Sequence, residues 1–576
     1  MQIPRPEHPR PDFQRQAWLN LNGAWDFAFD FGRSGREREL EWTDKILVPF
    51  CPESALSGIG YRDFMPSVWY RRTFRLPEDW RGRRVILHFG AVDYQTEVWL
   101  NGKTVGTHRG GYSSFQFEIT SFLQRGENTI VVCAEDDNRL WLQPRGKQCE
   151  AYESQGCDYT RTTGIWQTVW LEAVPQTYLA SAKLAPDLAN ASLFIEGRLA
   201  GGGGEVKATA TFAGKCLAQG AVKTRGGHFQ LALPLAAAHP WAPGTPNLYD
   251  LQLEVAGQDG SSDQVRSYFG LRDISWHDGL RINGKKLFMR LVLDQGYYPD
   301  GIYTAPSDEE LKADIERSLA LGFNGARLHQ KVFEPRFLYW ADRLGYLVWG
   351  EHGSWGLAID KPEALQIFLP EWSEIVERDR NHPAVIGWCP LNETRPGVCH
   401  RGHKPEFVRT VYGITKKLDP TRPVIDTSGY VHVDTDLYDV HDYDQDPVTF
   451  RQRYQDFIQG KVFVNYPQEE QYEGQPYWIS EYGGIWWQPG APAEDKKAWG
   501  YGKRPASEEE FIERYRGLTS ALLENPEICG FCYTQLYDVE QEVNGLYTYG
   551  RQPKFPQAAI RRLNSQPAAY EKEEEK

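Results

Sequence analysis

Eight short apolar runs, most of them separated by helical stretches, fill the C-terminal half of the 576-residue chain. They read LFMRLVLD, FNGARLH, YLVWGE, VIGWCPLNE, PVIDTSG, LYDVHDY, YWISEYG and ICGFCYTQL. Eight strand–helix units over about 290 residues match the size of a (β/α)8 barrel, or TIM barrel. A doubly wound sheet also alternates, but eight units and no GxGxxG after the first strand favour the barrel. We predict a barrel over residues 276–565 and a charged tail over 566–576, in which the last residues, EKEEEK, are frayed and solvated.

The N-terminal half has no long helical period and predicts two β-domains. Residues 1–175 contain alternating runs such as RVILHFG and TEVWLNG, which predict a jelly roll or sandwich. Asn101-Gly102 is typical of a two-residue hairpin turn. Residues 176–275 hold strand-like runs about ten residues apart, which predict an immunoglobulin-like β-sandwich without a disulfide. The predicted fold class is therefore multidomain, β plus α/β.

Composition excludes several classes of partner. The net charge is −14 and no long basic stretch occurs, which argues against nucleic acid. The sequence contains no run of about 18 apolar residues, so we expect no membrane span. Its N-terminus contains no apolar segment, so we expect no secretory signal. The nine cysteines are few and odd in number, so we expect a reduced, cytoplasmic protein with Cys529 and Cys532 in its core. A homo-oligomer remains open.

Polar residues follow most of the predicted barrel strands. The active site of a (β/α)8 barrel lies at the C-terminal ends of its strands, so these residues are candidates. They are Asp294, Gln295, Arg327, His329, Glu351, His352, Asn392, Glu393, His441, Asp442, Tyr443, Glu481, Tyr482 and Gln535. A rim so rich in carboxylates and amides predicts a polar substrate.

Two carboxylates stand out among them. Glu393 follows IGWCPLN and Glu481 follows YWIS, where an acid is costly unless it is paired or hydrogen-bonded. Glycoside hydrolysis needs two carboxyl groups, one protonated and one ionised, and strands four and seven face each other across a barrel. Each Glu could instead pair with an arginine in a structural network, and position alone leaves the two interpretations even.

Several segments resemble glycoside hydrolase family 2. GWCPLNET is similar to its acid/base signature and YWISEYGG to its nucleophile signature. LNGAWDF, SVWYRRTF and VDYQTEVWLNGKTVGTHRGGYSSF resemble its jelly-roll sugar-binding domain. YFGLRDI followed by LRINGKKLFMRLV resembles the passage from its immunoglobulin-like domain into the barrel. The resemblance spans residues 15–555, and the family's β-galactosidases, β-glucuronidases and β-mannosidases are retaining enzymes.

The resemblance implies a role for five residues. Glu393 would be the general acid/base and Glu481 the nucleophile. Asn392 would hydrogen-bond the 2-hydroxyl of the sugar, and Tyr443 would lie against the nucleophile. Asp158 precedes the segment GIW and matches an aspartate that reaches from the first domain into the barrel pocket.

Five more residues are predicted to line the sugar pocket. After the second strand, the family's Arg-x-x-His becomes Arg327-Leu328-His329-Gln330 in this chain. The histidine is therefore displaced by one position. Asp294 and Gln295 stand where galactosidases carry Arg-His, so we expect them to set specificity. Trp486 is a candidate for stacking on the sugar, as are Trp355 and Trp487. The five are Asp294, Gln295, His329, Gln535 and Trp486.

Two departures bear on ligands. EHGSWG does not match the magnesium-ligating Glu and His of some galactosidases, so we predict no metal and no cofactor. Glucuronidases bind the sugar carboxylate through Asn-x-Lys, and Asn544-Gly545-Leu546 lacks that lysine. Lys331, Arg551 or Lys554 could replace it, but each is expected to be a solvated surface charge.

The resemblance predicts a retaining, exo-acting β-glycosidase that acts on an oligosaccharide or glycoside through a covalent glycosyl-enzyme. Family frequency favours a β-galactosidase, with a β-glucuronidase, β-mannosidase or arabinosidase as alternatives. A catalytically inactive carbohydrate-binding protein is an alternative of another class. The presence of both Glu393 and Glu481 together with Asn392 argues against it.

Overall fold

This computed structural model describes residues 3–397, 402–488 and 498–572 of the chain. Its N-terminal domain is a jelly roll of two antiparallel sheets. The six-stranded sheet contains, in spatial order, Asp44–Val48, Gly23–Phe29, Ser67–Arg75, Glu127–Glu135, Gln95–Leu100 and Lys103–Arg109. The four-stranded sheet contains Trp18–Asn20, Val169–Val174, Arg84–Phe89 and Phe115–Glu118. Their facing side chains, such as Trp25 and Leu87, form one core. Asn101 and Gly102 have φ values of 52° and 76°, which confirms the predicted hairpin turn.

The second domain is an immunoglobulin-like sandwich. Its three-stranded sheet consists of Tyr178–Asp187, Ser192–Ala200 and His228–Pro234. Its four-stranded sheet consists of Lys215–Lys223, Gly204–Phe212, Tyr249–Gly257 and Ser262–Phe269. Strict alternation buries Leu193 and Val206 between the sheets. The cysteines of the described residues are free thiols, so none of them forms a disulfide in this sandwich. Cys529 and Cys532 are buried in the core of the barrel, as predicted.

The third domain is the predicted barrel. Its strands are β1 (Met289–Asp294), β2 (Gly325–Leu328), β3 (Leu347–Glu351), β4 (Val385–Cys389), β5 (Thr427–Ser428), β6 (Tyr438–Asp442), β7 (Tyr477–Gly483) and β8 (Ile528–Thr534). Seven of them form one parallel sheet in the order β4-β3-β2-β1-β8-β7-β6. β5 pairs in parallel with Leu391–Asn392, which continues β4. This order places β4 and β7 on opposite walls of the barrel.

Seven helices of the described residues surround these strands. They are α1 (Asp308–Ala320), α2 (Pro335–Leu344), α3 (Ala364–Asp379), α4 (Pro405–Leu418), α5 (Pro447–Ile458), α6 (Glu508–Leu523) and α7 (Gln557–Asn564). The hydroxyls of Ser307 and Ser507 accept hydrogen bonds from the N–H groups of Glu310 and Glu510, at 3.3 Å in both cases. These caps satisfy donors that the first turn of a helix leaves free.

A loop of the first domain, residues 143–161, lies against the C-terminal end of the barrel; we call it the covering loop. The Arg145 N–H donates to the Trp355 carbonyl at 2.8 Å, after β3. On the other side, the Gln541 amide donates to the Asp158 carbonyl at 3.0 Å, after β8. The polar rim predicted from the barrel strands is therefore enclosed by a second domain.

Residues 568–571, at the start of the predicted charged tail, pack against the barrel. Ala569–Glu571 form a 3-10 turn, and Tyr570 is buried with its hydroxyl donating to the Leu280 carbonyl at 3.3 Å. Glu571 pairs with Arg290 of β1 at 2.8 Å. The high charge of the segment suggests solvation, but one aromatic ring and one ion pair hold it against the barrel. Residues 573–576 lie outside the described residues.

Candidate active site

The two candidate glutamates meet at the C-terminal end of the barrel. Glu393 follows the continuation of β4, and Glu481 lies near the end of β7. One oxygen of each carboxylate and one nitrogen of His441 all lie within 4.8 Å of one another. Glu393 has a φ of 52°, in the left-handed region, and its N–H donates to the Ser428 carbonyl at 2.9 Å. Such strained backbone persists where the surroundings fix it, which is common in active sites.

His441 at the end of β6 links the two carboxylates. Its Nδ1 lies 2.9 Å from Glu393 Oε1, and its Nε2 lies 3.4 Å from Glu481 Oε1. Gly429 makes room for the ring, because a Cβ at this position would lie 2.1 Å from the imidazole Cδ2. One imidazole therefore contacts both carboxylates, each through a different ring nitrogen.

Arg327 at the end of β2 is the central cation of the site. It donates from Nη1 to Glu481 Oε1 at 2.8 Å, from Nε to Glu351 Oε2 at 2.6 Å, and from Nη2 to Asn392 Oδ1 at 2.7 Å. The guanidinium is only 1% exposed, so water screens these contacts little. Arg327 thereby fixes the position of the Glu481 carboxylate relative to the side-chain amide of Asn392, the residue before Glu393.

The surroundings of Glu481 favour its ionised form. Burial raises the pKa of this carboxyl, but its electrostatic interactions with His441, Arg327 and His329 outweigh burial and hold the pKa below its usual value. The Tyr443 hydroxyl donates to Glu481 Oε2 at 2.5 Å. Glu481 is therefore a carboxylate at neutral pH, as a nucleophile must be.

Glu351 anchors His329 beside Glu481. Burial alone would raise the pKa of Glu351, but Arg327 and His329 lower it to about 2. His329 Nδ1 lies 2.9 Å from Glu351 Oε1, and His329 Nε2 lies 3.9 Å from Glu481 Oε1. The displaced histidine thus lies beside Glu481, and the substrate contact predicted for it stays a prediction.

Three buried amide atoms that come directly after β1 and β8 or lie in the continuation of β4 have no hydrogen-bond partner in the described part of the chain. They are Asn392 Nδ2, Gln295 Oε1 and Gln535 Oε1. Their strands β4, β1 and β8 all end at the same mouth of the barrel as Glu393 and Glu481. A buried polar atom without a partner is costly, and a bound ligand would supply the missing partners.

Asp294 faces away from the pocket, contrary to expectation. Its Oδ1 accepts a hydrogen bond from the Tyr537 hydroxyl and another from the Gly296 N–H at 2.9 Å. Burial and the nearby Asp314 of α1 raise its pKa to about 6. Alternation along β1 explains the orientation, because Asp294 shares the outer face of the strand with Arg290 while Gln295 points inward.

The other two predicted residues lie at the rim. The Asp158 carboxylate is 3.5 Å from Arg145 Nη1 within the covering loop, with its side chain 26% exposed. Trp486 is half-buried, with the Arg504 guanidinium 6.0 Å from its ring centroid. It precedes residues 489–497, which lie outside the described residues. The roles predicted for both side chains stay predictions.

Four further residues belong to the site. Arg327 and His441 are among the polar residues that the sequence places at the ends of barrel strands, although it assigns neither of them a role. Tyr501 stacks on Tyr443 with ring centroids 3.5 Å apart. The Lys147 ammonium lies 4.1 Å from the ring centroid of Trp355. Tyr501 and Lys147 come from loops far from the strand ends, so local sequence carries no signal for them.

Three cations expected at the surface are buried instead. Lys331, Arg551 and Lys554 are 3%, 8% and 6% exposed. Lys331 donates to the Tyr303 carbonyl at 2.8 Å, and Lys554 pairs with Asp538 at 2.5 Å. Arg551 donates to the carbonyl of Tyr549 at 2.9 Å and pairs with Asp314 at 3.3 Å. All three cations therefore already donate to oxygen atoms of the protein.

Glu393, His441 and Glu481 are also the one group of the described residues whose donor atoms could converge on a metal ion. Arg327 Nη1 lies 2.8 Å from Glu481 Oε1, and a divalent cation beside this guanidinium would be repelled. The arrangement suits a hydrogen-bonded carboxylate pair better than a metal centre. The expectation of no metal and no cofactor stays a prediction.

Family models match almost the whole chain in three consecutive segments. The sugar-binding domain of glycosyl hydrolases family 2 matches residues 55–175, and a second family 2 model matches residues 177–272. The TIM barrel domain of the same family matches residues 279–563. No helix of the described residues is both long enough and apolar enough to cross a membrane.

Curated relatives fall into two activities. A β-glucuronidase of Felis catus is 27% identical over 464 residues, which cover 72% of this chain and 69% of the relative. A β-galactosidase of Thermoanaerobacter pseudethanolicus is 27% identical over 458 residues, which cover 74% of this chain and 56% of the relative. Among solved structures, a β-glucuronidase of Ruminococcus gnavus in complex with D-glucuronic acid has a TM-score of 0.79 at 18% identity. It covers 98% of this chain and 100% of its own, and this likeness shows the fold.

Proposed function

Because the chain belongs to glycoside hydrolase family 2, we propose that it is a retaining, exo-acting β-glycosidase with Glu393 as acid/base and Glu481 as nucleophile. The observation that carries this proposal is the separation of the two carboxylates, which have an oxygen each within 4.8 Å. Retaining enzymes hold the carboxyl groups about 5–5.5 Å apart, whereas inverting enzymes need about 6.5–9.5 Å for a water molecule. The short separation leaves no room for that water.

The first step forms a glycosyl-enzyme. A Glu481 oxygen attacks the anomeric carbon and forms a C–O bond, while the bond to the leaving oxygen breaks and Glu393 transfers its proton to that oxygen. Arg327 and Tyr443 hold the two oxygens of Glu481 in place at 2.8 and 2.5 Å before the attack. Positioning of this kind removes orientational freedom that would otherwise add to the barrier.

The second step releases the sugar. Glu393, now ionised, takes a proton from water as the water oxygen attacks the anomeric carbon, and Glu481 leaves as a carboxylate. His441 contacts Glu393 at 2.9 Å and keeps its carboxyl oriented through both steps. The cations around Glu481 that lower its pKa also make it a better leaving group.

The amide atoms without partners would bind the sugar hydroxyls. Asn392 Nδ2 is placed to donate to the 2-hydroxyl, because its Oδ1 is already held by Arg327 at 2.7 Å. Gln295 and Gln535 offer acceptor oxygens for other hydroxyls. Asp294 takes a different role from the one predicted: it holds Tyr537 and the loop after β1 from outside the barrel.

The identity of the sugar is the finer question. The sequence favours a β-galactosidase on family frequency, whereas the relatives support a β-glucuronidase at least as well. An inactive carbohydrate-binding protein would not need to keep a carboxylate pair with its nucleophile ionised. We therefore favour an enzyme, and a uronic acid as its sugar for reasons given in the next subsection.

A panel of nitrophenyl β-glycosides tests the proposal. We expect the protein to release nitrophenol from at least one of the β-galactoside, β-glucuronide, β-mannoside, β-fucoside and α-L-arabinoside, and not from the opposite anomer of the same sugar. A preparation in which both Glu393 and Glu481 are changed to Gln is the control for contaminating activity. Binding of a sugar without release from any member of the panel would identify a carbohydrate-binding protein instead.

A further inference from the structure

Lys147 reaches from the covering loop over the floor of the sugar pocket. The residue is 6% exposed, and its Nζ lies 4.1 Å from the ring centroid of Trp355. The Trp355 indole N–H donates to the Asn392 carbonyl at 3.2 Å, and the ring meets His329 edge-on with centroids 6.4 Å apart. The ammonium therefore lies among the residues that flank both catalytic glutamates.

The position of Lys147 is fixed by its backbone. Its carbonyl accepts from the Tyr159 N–H at 2.7 Å, and the Arg145 N–H two residues earlier donates to the Trp355 carbonyl at 2.8 Å. These bonds join the lysine and the indole beneath it into one unit across the domain boundary. The ammonium is thus held in place before any substrate binds.

The group is charged despite its burial. Burial lowers the pKa of Lys147, but Cys157, Glu542 and the two catalytic glutamates raise it more, and the pKa ends above its usual value. A cation over an indole face is stabilised, but that contact uses none of its N–H donors. All three N–H bonds are still available to an acceptor.

No acceptor in the described part of the chain lies within hydrogen-bonding or ion-pairing distance of the Lys147 ammonium. The nearby carboxylates have donors of their own, namely Arg327 for Glu481, His441 for Glu393, and Tyr159 and Asn544 for Glu542. A buried charge without a hydrogen-bonded partner is costly, so its retention needs a reason. A bound anion would supply that reason.

Other cations near the barrel mouth do not fill this role. Lys331, Arg551 and Lys554 are occupied by carbonyl and carboxylate oxygens of the protein. Leu546, where a glucuronidase-like lysine would stand, is 1% exposed and its N–H bonds back to the Gln535 carbonyl at 3.0 Å. The cation supplied by the covering loop is the one placed to meet the sugar.

We propose that Lys147 is a specificity-determining residue that binds the carboxylate of a uronic acid, so that the substrates are β-hexuronosides. This proposal rests on the proposed glycosidase function. Sugar hydroxyls are served by the amides of Asn392, Gln295 and Gln535, whereas a full positive charge in a buried site is best matched by a full negative charge. A neutral sugar would leave the ammonium with hydroxyl contacts alone.

The test compares uronides with their neutral counterparts in Lys147→Met and Lys147→Gln variants. For nitrophenyl β-glucuronide and β-galacturonide, we expect kcat/KM to fall about 100-fold, the loss typical of removing one partner of a buried charged pair. For the matching β-glucoside and β-galactoside, kcat/KM should change less than about threefold. Lys147→Arg should keep a preference for uronides, and the exposed Lys103→Gln variant of the same domain should behave as the unaltered protein.

A binding measurement separates this proposal from the proposed function. D-glucuronate or D-galacturonate should raise the Tm of the unaltered protein and not that of Lys147→Met, while the Tm without ligand stays the same. Equal losses for uronides and neutral glycosides, or hydrolysis of neutral glycosides only, would overturn the role of Lys147 and leave the glycosidase intact. If no glycoside is hydrolysed, the glycosidase proposal fails. The binding of uronates then tests by itself whether Lys147 binds the carboxylate of a uronic acid.

Discussion

Replacing Glu481 with glutamine is expected to lower kcat by on the order of 10,000-fold or more, because the amide cannot form the glycosyl-enzyme. Glutamine keeps an oxygen that can accept the 2.8 Å hydrogen bond from Arg327, so the fold of the site should survive. The loss is measured with the best substrate of the glycoside panel. Glu473→Gln, which removes an exposed carboxylate from the same domain, should leave kcat and Tm unchanged.

Azide identifies the role of Glu481 more closely. In Glu481→Ala, a small anion can enter the space left by the carboxylate and attack the anomeric carbon from the same face. Turnover should return, and the product should be an α-glycosyl azide, because a single displacement inverts the β-glycoside. A β-glycosyl azide, or a variant that keeps a tenth of the original activity without azide, would rule out Glu481 as the nucleophile.

Replacing Glu393 with alanine is expected to separate substrates by their leaving groups. For a basic leaving group such as an alkyl alcohol or a second sugar, kcat/KM should fall about 1,000-fold, because protonation of the leaving oxygen is lost. For dinitrophenyl glycosides the first step needs no proton, so formation of the glycosyl-enzyme should remain fast and its hydrolysis should become limiting. A burst of dinitrophenol measures this change.

Azide again provides the contrast. With Glu393→Ala it should speed release of the intermediate and give a β-glycosyl azide, since two displacements restore the configuration. Similar losses for alkyl and dinitrophenyl substrates, with no burst, would show that Glu393 does not act as the acid/base. Because Glu393 contacts His441 at 2.9 Å, a Tm measurement should accompany the kinetics.

The sequence predicts the barrel well because strand and helix signals recur eight times and agree with each other. Ser307 and Ser507, which precede α1 and α6, cap the N-termini of these helices. The pair of glutamates is also predictable, since each follows an apolar strand and lies within a family signature. The local sequence does not tell whether Asp294 or Gln295 faces the pocket. Side chains alternate along β1, so Gln295 points into the barrel and Asp294 points out of it.

Long-range packing sets the limit of prediction. Lys147 and Tyr501 approach the catalytic pair through loops whose sequences carry no sign of that proximity. Lys331, Arg551 and Lys554 are expected in solvent by residue type, but carbonyls and carboxylates from distant segments bury them. Charge alone is therefore a poor guide to exposure where loops from two domains meet.

The configuration of the first product tests the central claim most directly. Hydrolysis of the best β-glycoside can be followed by proton NMR, in which the two anomers of the released sugar give separate signals. Two displacements at Glu481 predict that the β-anomer appears first and that the α-anomer grows in only as the free sugar mutarotates. The α-anomer appearing first would mean a single displacement by water, and it would contradict both the retaining mechanism and the assignment of Glu481 as the nucleophile.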